Sequence, residues 1–192
     1  VVTVMYEPII VSMNIVAANG KIAPARTQMV GMESIEQQMN AIAKHKLFND
    51  QRQAMNMPVF PINLHAAVMG ERGSGKSAFA HVLYEFYRKN GLIGDGMLHI
   101  IDASRWLNIS ESDTPVGEDM TKARNGLLYI ENAAAMISTD TRGNNEYAVQ
   151  ALVRQLRDNT HNTTVVLADT MEHLTGLLNT ADLKSFIGQT YH

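Results

Sequence analysis

Gly70-Glu71-Arg72-Gly73-Ser74-Gly75-Lys76-Ser77 is the stretch on which the reading of this chain turns. It satisfies the phosphate-binding loop pattern G-x-x-x-x-G-K-[ST] at every fixed position. The apolar run Ala66-Ala67-Val68-Met69 precedes it, and the helical pattern Ala78-Phe79-Ala80-His81-Val82-Leu83 follows. Strand, glycine loop and helix in that order form the context in which the pattern carries its chemistry. Glycines let successive backbone N–H groups turn inward around phosphate, and a helix starting at the loop adds the positive end of its dipole. On this reading Gly70, Glu71, Arg72, Gly73, Ser74, Gly75, Lys76, Ser77 and Ala78 cradle ATP or ADP. Lys76 reaches the β- and γ-phosphates, and Ser77 offers its hydroxyl to Mg²⁺. The competing reading, a glycine-rich surface turn, explains neither the strand before nor the helix after.

Composition narrows the setting. The 192 residues suit one α/β domain with a modest extension, and 45% hydrophobic with 18% charged residues is a globular balance. A net charge of −3 and a pI near 6.2 supply no general attraction to nucleic acid or an anionic membrane. Without cysteine the chain has no disulfide and no cysteine-zinc site, so an intracellular, cytoplasmic location is the default expectation. No apolar run approaches the ~18 residues of a membrane-spanning helix. The start, Val1-Val2-Thr3-Val4-Met5, lacks the basic region of a signal peptide. On that ground the sequons at Asn108 and Asn162 are discounted.

Outward from the loop, alternation dominates. Residues 1–30 hold two β-rich pieces, Val1–Tyr6 and Ile9–Val16, and read as a hairpin or an arm. A helix is expected from Gly31 to about Leu47, on the spacing of Ile35, Met39, Ile42 and Leu47. Pro58 and Pro61 mark a linker into the strand Leu64–Met69, where His65 reads as a strand-edge side chain rather than a ligand. Further strands are expected at Met97–Ile101, Leu127–Ile130 and Thr163–Ala168, with helices over Glu118–Arg124 and Glu146–Asp158 between them. Strands alternating with helices make parallel βαβ units, hence a three-layer α/β domain over 31–192 with a mostly parallel sheet. Ligands in such sheets bind at the carboxyl ends of the strands. That singles out Asp102, Glu131-Asn132 and Asp169-Thr170 beside the loop.

In P-loop ATPases one strand ends in an acidic residue that holds Mg²⁺, often followed by a glutamate that polarises the attacking water. Here that strand ends in Glu131-Asn132. Glu131 is one methylene longer than aspartate and still within reach of the ion's water shell; a surface carboxylate is the alternative. Asn132 orients a water but accepts no proton at neutral pH. Losing a general base costs typically 10²–10⁴-fold, so binding with slow turnover is expected, and Asn132→Glu is expected to raise it. Thr170 has the position of a hydrogen-bond donor to the γ-phosphate, while Asp169 calls for a cation or base opposite it; an ordinary turn fits equally. The seven histidines show no metal-ligand spacing, and the 12 methionines read as core packing.

From Gly31 to about Phe186 the succession of features resembles the AAA+ ATPases of the CbxX/CfqX type, the group of red-type Rubisco activases, stage V sporulation protein K and ESX-secretion ATPases. It rests on Val30-Gly31-Met32, the loop after Leu64-His65, Gly91-Leu92-Ile93, Gly96-Met97-Leu98-His99, Gly126-Leu127-Leu128-Tyr129-Ile130-Glu131-Asn132-Ala133 and Val165-Val166-Leu167-Ala168. The resemblance implies a P-loop NTPase fold of the AAA+ type, ATP with Mg²⁺, homo- or hetero-oligomeric assembly and an unidentified protein partner. It also exposes departures. The family has Asp-Glu where Glu131-Asn132 stands, and an aromatic pore-loop residue for which Trp106 and Ile109 are the candidates. Asn179–Phe186 carries no arginine at the place of the family's trans-acting finger, and Lys184 lacks the planar fork. The fifth strand falls around His192, and no counterpart of the family's helical lid is expected within 1–192. The functional expectation is an ATP-binding subunit with weak or absent hydrolysis, the catalytic set being Glu131, Asn132 and Thr170. An active ring-forming remodelling ATPase and a P-loop small-molecule kinase are the alternatives.

Overall fold

The computed structural model describes residues 32–107, 109, 114–137, 146–158, 160–180 and 183–192. The expected β-rich extension over 1–30 lies outside them.

The central apolar runs become strands buried on both faces, the environment that favours unbroken Val/Ile/Leu/Ala sequences over alternating ones, while the two edge strands are only half-buried. The strands are β1 (Ala66–Met69), β2 (Leu98–Asp102), β3 (Leu127–Glu131), β4 (Thr164–Asp169) and β5 (Gln189–Tyr191). They join in the order β2-β3-β4-β1-β5, every described pairing being parallel. β3 shows the consequence of burial on two sides: Leu127, Leu128, Tyr129 and Ile130 all have no exposed surface. Its alternate residues serve different layers. Leu128 and Ile130 pack with Val165, Leu167, Met120 and Leu152, while Leu127 and Tyr129 pack with Val68, Val166, Phe79 and Leu83. The helices α1 (Glu33–Ala54) and α2 (Lys76–Lys89) supply residues to the second layer, and α3 (Thr114–Lys122), α4 (Glu146–Asp158) and α5 (Met171–Thr180) to the first. A short α6 (Leu183–Phe186) leads into β5.

The fifth strand, expected around His192, stands at Gln189–Tyr191. Two expectations are refined. α1 runs past Leu47 to Ala54. Its last turns are held by polar contacts instead of an apolar stripe. Asn49 Nδ2 donates to Phe60 O at 2.6 Å, Phe60 N donates to Asn49 Oδ1 at 2.9 Å, and Arg52 Nε donates to Pro58 O at 2.6 Å. The Arg52 guanidinium also lies over the Phe60 ring, 4.7 Å from its centroid. Finally, α3 begins at Thr114, ahead of the expected Glu118.

Where β2 and β3 begin, the two backbones nearly touch. A Cβ on Gly96 would stand 1.9 Å from Arg124 O, and one on Gly126 2.3 Å from Met97 O. Glycine at both positions lets the strands enter the sheet in register, with Leu98 opposite Leu127 and Asp102 opposite Glu131. This register brings the acidic ends of β2 and β3 side by side at the edge where the loop lies.

Candidate functional site

The loop after β1 takes the shape that its glycines allow. Gly73 and Gly75 have φ of 79° and 87°, left-handed values at which a side chain is strained. Gly75 directly precedes α2, so the turn delivers the chain into the helix at Lys76. Lys76 Nζ folds back to donate to Gly70 O at 2.7 Å and Glu71 O at 2.8 Å. The ammonium is thereby held over the loop that precedes it. Glu71, Arg72, Ser74, Ser77 and Ala78 are exposed, and Lys76 is half-buried.

Two neighbouring strands brace this loop. Gly70 N donates to Asp169 O at the end of β4, at 3.1 Å. From β3 the Tyr129 hydroxyl donates to Lys76 O at 2.8 Å, fastening the first residue of α2. Burial, and then the Glu131 charge, raise the Tyr129 phenol well above its ordinary range, so it remains a donor. Ser77 Oγ donates to Glu131 Oε1. A hydroxyl and a carboxylate in direct contact beside a glycine loop are hard oxygen donors, the set that suits Mg²⁺.

Asn132, next after β3, has φ of 50°. Asparagine tolerates this left-handed conformation better than other residues with a Cβ. Its amide Nδ2 donates to Asp102 Oδ2 from β2. Burial pulls the Asp102 carboxyl upward, but hydrogen bonds from Ser104 and Asn132 outweigh it and hold the group below its ordinary value. With one Nδ2 hydrogen given to Asp102, the side-chain acceptor that Asn132 offers is its amide oxygen Oδ1.

At the end of β4, the nearly buried Asp169 is held from the backbone. Its Oδ2 accepts from Ala134 N at 3.0 Å and its Oδ1 from Thr170 N at 2.7 Å. Thr170 Oγ1 accepts from His173 N at 3.4 Å, which makes Thr170 the cap of α5. The cleft of about 1060 Å³ beside the loop is lined by Arg72, Lys76, Ser77, Glu131, Asn132, Asp169, Glu172 and His173 among others. Of the residues singled out in the sequence, the cleft gathers Arg72, Gly73, Lys76 and Ser77 of the loop with Glu131, Asn132 and Asp169, while Asp102 and Thr170 are not part of its lining. Glu172 and His173 were missed, because they lie inside a helix and not at a strand end.

The region after β2 corrects one expectation. Trp106 is fully buried, with Nε1 donating to Asp119 Oδ2 at 2.9 Å, and half-buried Ile109 packs against the same core. Trp106 therefore has no surface to offer a pore. Asp119 of α3 has no exposed surface and also meets His99 Nε2 at 2.9 Å, Arg105 Nε at 3.0 Å and Lys122 Nζ at 3.3 Å. Burial raises its carboxyl, yet the bonds from His99, Trp106 and Lys122 and the Arg105 charge leave it below its ordinary value. No sequence signal separates Asp119 from the solvent-facing acids of an amphipathic helix.

No family model matches the chain. Among characterised proteins, stage V sporulation protein K of Bacillus subtilis is 24% identical over 147 residues, covering 73% of this chain and 44% of that protein. Protein CfxQ of Xanthobacter flavus is 21% identical over 145 residues, covering 73% of this chain and 45% of its own length. This chain thus spans less than half the length of these relatives. The solved AAA domain of FIGL-1, crystallised in complex with ADP, superposes with a TM-score of 0.58 at 14% identity, covering 86% of this chain and 53% of that one. The fold and the loop define a P-loop NTPase domain. In sequence the chain is similar to AAA+ ATPases of the CbxX/CfqX type, and in fold to the AAA domain.

Proposed function

We propose that the chain binds ATP or ADP with Mg²⁺ at Gly70–Ala78 and hydrolyses ATP slowly. In this reading it works as a subunit of a cytoplasmic oligomer that remodels or supports a protein partner. The observation that carries the binding reading is Lys76, folded over a left-handed glycine loop, beside the Ser77–Glu131 contact. Phosphate oxygens compete for the Lys76 ammonium with the neutral carbonyls of Gly70 and Glu71, and a charged acceptor makes the stronger bond. Backbone N–H groups of the loop and the first turn of α2 share the remaining phosphate charge. Ser77 and Glu131 would hold Mg²⁺, which when bound neutralises phosphate charge. Asn132 orients water through its carbonyl oxygen but takes no proton, which supports slow turnover. Among the described residues no helix is long and apolar enough to cross a membrane.

The test is calorimetric and thermal. ATP with Mg²⁺ is expected to raise the melting midpoint, since a ligand of the native state stabilises by RT ln(1 + [L]/Kd), about 2.7 kcal/mol at a hundredfold excess over Kd. Lys76→Ala is expected to abolish the shift. A shift of equal size in that variant would remove the loop from the site.

A further inference from the structure

His173 lines the cleft with Lys76, Ser77, Glu131 and Asn132, yet no step assigned above uses it. It is the third residue of α5, and its side chain is 56% exposed. Its Nδ1 faces Asp169 Oδ1 at 3.4 Å. Both Asp169 oxygens already accept backbone N–H groups, from Thr170 and Ala134. An ionised carboxylate only accepts, so a hydrogen bond between the pair takes its hydrogen from Nδ1 of the imidazole. In the neutral ring that leaves Nε2 with its lone pair, the tautomer of a base oriented by a carboxylate. At the end of β3, meanwhile, Asn132 brings no proton acceptor to the same cleft.

We propose that His173, oriented by Asp169, accepts the proton of the water that attacks the terminal phosphate of ATP. The proposal rests on ATP occupying the cleft. The water oxygen forms a bond to the terminal phosphorus, and the bond from that phosphorus to the β,γ-bridging oxygen breaks. ADP leaves with the bridging oxygen and its electron pair, and the water proton passes to His173 Nε2. Several charged groups line the cleft with this ring. Arg72 and Lys76 come from the loop, Glu131 from β3, Asp169 from β4 and Glu172 from α5 itself. The turn Ala133–Ile137 packed on α5 carries no titratable residue, and α6 brings only the exposed Lys184. The slow turnover of the proposed function is, on this view, the turnover that an imidazole sustains where a carboxylate is missing.

His173→Gln in the full chain keeps polarity and removes the base. Affinity for a non-hydrolysable ATP analogue is expected to stay within about twofold, while hydrolysis falls by ~10²-fold, the low end for a lost general base. The wild-type rate is expected to rise with pH as one imidazole loses its proton, and the variant profile to be flat over that range. Added imidazole is expected to restore part of the rate in His173→Gly. Nitrogen-15 spectra of the ligand-free chain are expected to show the Nδ1–H tautomer at His173. An unchanged rate and pH profile in a variant that still binds the analogue would overturn the proposal. So would an Nε2–H tautomer, or a wild-type chain that binds ATP without turnover, and these leave nucleotide binding intact. A chain that binds no nucleotide overturns the binding reading and the proposal together.

Discussion

Asn132→Glu would place in this chain the carboxylate expected at this position from its resemblance to the CbxX/CfqX-type ATPases, and the structure says what that costs. Asn132 sits at φ 50°, where a residue with a longer side chain pays roughly 1 kcal/mol that asparagine largely avoids. The substitution also removes the donor that Nδ2 supplies to Asp102. That bond has exposed partners, so its net value is about 0.5–1 kcal/mol. A glutamate would then set a second negative charge beside Asp102 and next to Glu131, and like charges ~4 Å apart in water repel by about 1 kcal/mol. A loss of roughly 2–3 kcal/mol follows, which for a chain of 192 residues lowers the melting midpoint by about 5–10 °C. Adding Asp102→Asn removes the repulsion and returns a donor, so the double variant is expected to recover about half of the loss. The assay is thermal and urea unfolding of the wild type, both single variants and the double, closed as a double-mutant cycle. Midpoints for Asn132→Glu equal to wild type, or additive single effects with no coupling, would refute the pairing of Asp102 with Asn132. The gain in hydrolysis expected from a glutamate here is best sought in the double variant, where the chain tolerates it.

Removal of the Asp119 carboxylate by Asp119→Ala leaves His99, Arg105, Trp106 and Lys122 without their shared acceptor. A loss of about 3–5 kcal/mol is expected by urea unfolding, because breaking a buried charge network strands its partners; a loss below 1 kcal/mol would show that the network is not buried in solution. His65 Nδ1 accepts from Val165 N at 3.0 Å, and burial lowers the imidazole's proton affinity. Between the lowered folded value and the unfolded value near 6.5 the unfolded chain binds more protons. Stability is therefore complete above that pH and falls as pH drops below it, by at most about 1.4 kcal/mol per pH unit. His65→Asn, which keeps an acceptor without titrating, is expected to flatten that slope in acid titrations followed by circular dichroism. An unchanged slope would show that His65 is not the group responsible.

Much of the site was readable from local pattern. A glycine loop, the apolar run before it and the helix after it are contiguous, and their backbone requirements are written in neighbouring residues. The same holds for β3 and β4, whose four- to six-residue apolar runs ended in Glu131 and Asp169 as strands ending at a binding edge do. Where the reading missed, the cause lay in partners distant along the chain. Trp106 looked available because an aromatic after a strand carries no mark of burial. Only the packing of α3, with Asp119 thirteen positions on, turns its indole inward. α1 outran its apolar stripe because Asn49 and Arg52 bond to the backbone of Phe60 and Pro58, contacts that periodicity does not register.

By itself, then, the sequence determined a phosphate-binding loop between a buried strand and an amphipathic helix, and a βαβ succession that closes as a parallel sheet. These are consequences of short-range geometry: glycine's access to positive φ, the two-residue period of strands and the hydrophobic demand of burial. The tertiary structure alone decided which strand ends meet. Strand order β2-β3-β4-β1-β5 sets Asp102 against Asn132, Glu131 against Ser77 and the end of β4 against the loop. The cap of α5 then turns His173 toward the same cleft. Hydrogen-bond partners a few ångströms apart are separated here by about thirty to a hundred positions of chain, and no local pattern encodes a distance that only the closed sheet creates.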